Sequence, residues 1–141
     1  MRGIGAGIVA AAVWAVAEPG LGRAFSVPWY SDRRLLGGLL RVGPVGGLAA
    51  HLANGAGFGA VFAGLGGEGA MRGALAAQVE NAALWPAMIV VDRVHPDRQS
   101  GAWPPLVRNG RVFAYEVAAH ALFGAVLGTL VRRPSFVEPK T

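Results

Sequence analysis

The chain has no cysteine, which excludes a disulfide scaffold, a cysteine nucleophile and any thiolate metal site. Charge is scarce: Asp, Glu, Lys and Arg make up 15% of the 141 residues, against 53% hydrophobic. A disordered chain shows the opposite balance, so disorder is excluded. Lysine occurs only at Lys140, and arginine therefore carries the net charge of +5. The arginines stand between long apolar stretches and do not line one face of a helix, a layout that argues against nucleic acid as a partner. Serine is thin as well. Ser26, Ser31, Ser100 and Ser135 lie in no G-x-S-x-G elbow, and there is neither a phosphate-binding loop nor a dinucleotide fingerprint. These absences lean away from an enzyme, imply no cofactor and name no catalytic residue.

What the chain does have is four apolar runs. They cover 3–17 (extending towards 21), 45–65, 73–91 and 112–131. His51 and Asn54 interrupt the second, Gln78, Glu80 and Asn81 the third, Glu116 and His120 the fourth. Each is close to the roughly 20 residues that cross a hydrocarbon core of about 30 Å. Backbone polar groups in lipid are satisfied within helices or closed barrels, and the alternation of a barrel strand is missing. The expected fold is all-α: an integral membrane four-helix bundle, forming one domain over 1–141, with the lipid bilayer as its partner. Arg2 and Ala15-Val16-Ala17 also have the look of a cleaved secretory signal. A repeat in the chain favours a retained first span.

Ala49-Ala50-His51 leads to Gly55 and Gly59, and Ala118-Ala119-His120 leads to Gly124 and Gly128, the same spacing in each case. Met1-Arg2-Gly3 leads to Trp14 as Met71-Arg72-Gly73 leads to Trp85. The expectation is two tandem two-helix repeats, about 1–65 and about 71–135. A two-helix unit returns the chain to its starting side, so the halves are parallel repeats. Residues 66–70 then make a tight turn, and two long connections, 18–44 and 92–111, share the opposite side. Within the first, 31–42 reads as a short interfacial helix capped by Ser31, with Asp32 in its first turn and Leu35, Leu36, Leu39 and Leu40 as its apolar face. Trp29 and Trp103 are placed either in an interfacial belt or in plain loop packing. The long connections hold Arg23, Arg33, Arg34, Arg41, Arg93, Arg98, Arg108 and Arg111. Arg2, Arg72, Arg132, Arg133 and Lys140 fall on the other side. The excess predicts cytoplasmic long connections.

Apolar helices gain nothing from lipid by associating, so close approach of small residues must hold them together. Gly55 and Gly59, and Gly124 and Gly128, are the helix-packing candidates, each pair on one slanted seam. His51 and His120 lie on the same seams and so face other helices. Glu116 precedes His120 by one helical turn and can hydrogen-bond it. Glu80 and Asn81 point inward at mid-helix, where an ionised carboxylate is costly. Glu18 joins the candidates if the first helix runs past it. Trp85-Pro86 predicts a kink beside Glu80. His95, between Asp92 and Asp97, reads as part of a polar surface loop.

The four-helix layout, the A-A-H-x3-G-x3-G seams and the step His120-Ala121-Leu122-Phe123-Gly124 resemble the small bacterial inner-membrane proteins of the YagU-like type. The resemblance implies a multi-pass protein of the bacterial plasma membrane and brings no catalytic residue with it.

Two functions stay open on the residues. The first is a small membrane protein acting by interaction, as a homo-oligomer or a subunit of a membrane complex. The second is a proton or ion channel or transporter that uses His51, Glu80, Asn81, Glu116 and His120. The bland account of that cluster is interhelical hydrogen bonding, worth about 0.6 kcal/mol per bond. A metal variant would use His51, His120 and Glu80. An intramembrane lipid-processing enzyme is the remaining enzymatic reading.

Overall fold

The computed structural model describes residues 2–131. Its elements are α1 (Gly3–Ala24), α2 (Asp32–Leu39), α3 (Gly43–Gly64), α4 (Ala70–Leu84), a 3₁₀ turn (Trp85–Ala87), α5 (Met88–Val94), α6 (Pro96–Gln99) and α7 (Gly110–Leu130), with no strand among the described residues. Four stretches are long and apolar enough to cross a membrane: α1, α3, the run Ala70–Val94 and α7. α1 passes Glu18 and carries Pro19 inside it. At Trp85-Pro86, where a kink is expected, the helix passes into a 3₁₀ turn, because proline cannot donate to the helical ladder. Between α3 and α4 the chain reverses through Gly66 and Gly69, both at positive φ, which glycine adopts without strain.

α1 packs against α3 and α7, and α7 packs against α4, so the order across the bundle is α3, α1, α7, α4. Each outer pair closes through glycine. A Cβ at Gly7 would land on the carbonyl of Gly55, and one at Gly3 on that of Gly59. On the other side Gly73 meets Gly124, and Gly128 meets Gly69, whose N–H donates to the Gly128 carbonyl at 2.8 Å. These approaches lie at the end of the bundle that carries the short turn.

Polar residues join the apolar core, and many large apolar side chains face outward. Glu18, His51, Asn81, His95, Glu116 and His120 are buried, while Val16, Val61, Leu65, Met71 and Val79 are among the exposed large side chains.

α2 starts where expected, with the Ser31 hydroxyl accepting from the Arg34 N–H at 3.3 Å. It does not lie across the helix ends as an interfacial helix would. Its Asp32 end sits against Glu18 and His51, about 9 and 12 Å below the ends of α1 and α3. Its other end sits against Gly43 and Pro44. The segment therefore packs along α3, and Glu18 ties its start to α1: this carboxylate accepts from the Asp32 N–H at 2.8 Å and the Arg33 guanidinium at 2.9 Å. The 95–109 connection folds over the same end. Asp92 pins it by accepting from Leu106 N–H, Val107 N–H and Arg98. Trp103 is 1% exposed and packs among Trp29, Tyr30 and His95, whose ring stacks on it at 4.4 Å. Plain loop packing, not a belt, explains Trp103. His95 is no surface residue either: Nε2 faces the Arg34 carbonyl, Nδ1 accepts from Asp97 N–H, and the ring is fully buried in this cap.

Candidate functional site

α3 and α4 stand at the two ends of the packing order, and between them opens a cleft of about 290 Å³. Its back is Trp14 of α1 with Glu116 and His120 of α7. Asp32, Asn54, Glu80 and Asn81 complete the polar lining. Towards the loop end the wall turns apolar, with Leu35, Leu36 and Leu39 of α2 facing Leu84, Met88 and Val91. Helical rise places Glu116 about 9 Å below the loop end, and Trp14, Asn54 and His120 about 15 Å below it, near mid-helix. Further in, Phe58 and Phe123 meet edge to face at 5.5 Å, and Phe123 reaches Trp14 at 6.2 Å. The cleft is thus a half-passage, apolar towards the loop end, polar near the middle and closed beyond it by aromatic rings and glycine contacts.

Two hydrogen-bonded units flank it. In the first, His51 Nε2 donates to the Ala11 carbonyl at 3.1 Å, while Nδ1 faces Asp32 Oδ2 at 3.2 Å. A carbonyl only accepts, so Nε2 carries a proton. A second proton must lie between Nδ1 and Oδ2, because two lone pairs would repel there. In the second, the Tyr30 hydroxyl donates to Glu116 Oε1 at 2.6 Å, and His120 Nδ1 sits 3.3 Å from Glu116 Oε2 and 2.8 Å from the Glu116 carbonyl. The Trp14 indole stands between the units, 4.9 Å from the His51 ring and 4.7 Å from the His120 ring.

Tyr30 lies outside the four long helices. Burial, and then the Glu116 carboxylate, hold its phenol well above its usual value near 10. The folded state therefore keeps this proton to higher pH than the unfolded chain does. The group's contribution to stability is complete below about pH 10 and drains as pH rises further. Thermal unfolding followed across that range should show the alkaline fall, and Tyr30→Phe should reduce it.

The residues singled out in the sequence separate into distinct places. Glu80, Asn81, Glu116 and His120 line the cleft. His51 stands behind Asp32, outside the lining. Asn54 Nδ2 reaches Glu80 Oε1 at 3.5 Å, and Gln78 donates to the Val117 carbonyl at 2.7 Å, joining α4 to α7. The metal variant is not supported, since Trp14 separates the two histidines and no three His, Cys, Asp or Glu of the described residues gather in a metal-holding group. Trp14, Asp32 and Tyr30 are the members that sequence reasoning missed. Trp14 served there only as a marker of the repeat, and Asp32 only as a helix-start residue. A signal for Tyr30 was absent. Compared with family models, with curated proteins and with solved structures, the chain matches none.

Proposed function

We propose that this is a multi-pass protein of the bacterial inner membrane, of YagU-like type, that moves protons or a proton-linked ion through its Glu/His cleft. The supporting observation is the cleft itself: three carboxylates and the His120 imidazole line a half-passage that reaches the middle of the bundle. Ionisable groups at such depth are expensive in a membrane and mark transport paths more often than packing. The closed far end fits a carrier that opens alternately better than an open channel. The equivalent glycine contacts in the two helix pairs support two tandem repeats as the frame that rocks. The interaction or subunit reading makes no use of the cleft. The glycines at the helix contacts, its natural means of self-association, are occupied by helices of the same chain. Proton flux in liposomes, comparing wild type with Glu80→Gln, tests the proposal.

Orientation follows from charge. Arg33, Arg34 and Arg98 pair with acids, whereas Arg23, Arg41, Arg93, Arg108 and Arg111 are exposed with no ion pair among the described residues. All five belong to the loop end, which favours the cytoplasmic face. Arg132, Arg133 and Lys140 of the opposing count lie outside the described residues. The chain's lack of cysteine makes the check clean. Ser100→Cys should resist a membrane-impermeant maleimide in intact cells and react after lysis; labelling of intact cells would reverse the orientation.

A further inference from the structure

The charges lining the cleft do not balance locally. Asp32 has His51 as its partner at 3.2 Å, and Glu116 has Tyr30 and His120. Glu80 has only the Asn54 amide, at 3.5 Å, and no basic group of the described residues within ion-pair distance. Beside it, Asn81 is 4% exposed and lines the cleft, yet its side-chain amide has no hydrogen-bond partner among the described residues. An amide that opens into a cleft without partners, and a half-buried carboxylate without a counter-charge, both gain from a ligand that supplies them. Both deficits sit next to each other, at the mid-helix end of a cavity whose loop-end part is leucine and methionine.

We propose that the cleft binds an amphiphilic organic cation, a protonated amine carrying an apolar body, with its N–H groups on Glu80 and Asn81 and its body along Leu35, Leu36, Leu39, Leu84 and Met88. An ammonium supplies the missing charge to Glu80 and an N–H donor to the Asn81 oxygen. The apolar wall fits the rest of such a molecule and offers nothing to a small hydrated ion. The volume of about 290 Å³ stands at the lower end of the range of small-molecule pockets, so the body is short. Asn54 is exposed, which puts the mouth between α3 and α4. A molecule with an apolar body reaches that mouth from the lipid side. The inference rests on the reading above for the cleft's place in the membrane, but it does not need protons to pass.

The test is equilibrium binding to the purified protein in nanodiscs of uncharged lipid, with n-octylamine, n-octanol and n-octanoate as probes of one body and three head charges. Octylamine should bind saturably above the linear background of partition into lipid. Octanol and octanoate should show the background alone. Glu80→Gln should weaken octylamine binding at least tenfold, and Asn81→Leu severalfold. Should Glu80→Gln fail to fold, Asn54→Leu at the rim reports on the same site and should also weaken binding. Saturable binding of octanol or octanoate as tight as that of octylamine would overturn the proposal. So would octylamine binding that survives substitution of Glu80, or of Asn54 and Asn81 together. Binding without proton flux sinks the transport reading and keeps this one; flux without octylamine binding does the reverse.

Discussion

Glu80→Gln is expected to lower proton flux in reconstituted liposomes by more than tenfold, with the protein still folded. Glu80 stands near the middle of the 25-residue run Ala70–Val94, some 15 Å from its start. Among the carboxylates lining the cleft it alone lacks a base in ion-pair contact among the described residues. Gln keeps the shape and the Asn54 contact but cannot exchange a proton. Asp32 and Glu116, tied to His51, Tyr30 and His120, form the outer steps from the loop end. Removing one of those should reduce flux less, because the other unit still reaches the middle. A wild type that carries no protons under an imposed gradient, or a Glu80→Gln variant that carries as many, would sink the transport reading. The interaction reading predicts such silence and would then be pursued by gentle co-purification.

The second large effect concerns the glycines. Gly7→Ala and Gly124→Ala should each destabilise the protein strongly, while Gly57→Ala should leave stability unchanged or slightly higher. At Gly7 a methyl group would fall on the Gly55 carbonyl, and at Gly124 on that of Gly73. Backbone cannot turn aside as a side chain can, so the helices must separate along the whole seam. Overpacking costs about 1–3 kcal/mol where neighbours can yield, and rigid backbone puts these sites at the upper end. The gain of about 1 kcal/mol from replacing glycine by alanine in a helix offsets only part of it. A net loss of about 2 kcal/mol lowers the melting temperature of a chain this size by roughly 8 °C. Gly57 has nothing within 4 Å of the added carbon and keeps the propensity gain. Thermal aggregation assays on the detergent-solubilised variants give the comparison. Equal melting temperatures for Gly7→Ala and Gly57→Ala would mean that the seams do not hold the bundle.

The four long helices were legible because their cause is local. Crossing apolar surroundings demands length and composition, and both are written in consecutive residues. The inward placement of His51, Glu116 and His120 was legible for a similar reason: spacing four on a 3.6-residue helix puts them on the face of Gly55 or Gly124. The break in the α-helix at Pro86 and the cap at Ser31 also follow from a few neighbouring residues.

What tertiary structure alone decided is which faces meet and how the connections fold back. The sequence supplies no term that sets α3 and α4 apart while α1 and α7 touch, and the cleft exists only through that choice. Asp32 carries a residue type already explained by its place at the start of α2, so local logic was satisfied before its contact with His51 could be suspected. Trp14 between two histidines, and Tyr30 on Glu116 across 86 positions of chain, depend on separations that no local pattern encodes. Periodicity determined which residues could not face outward. Packing between distant segments determined what they would find inside.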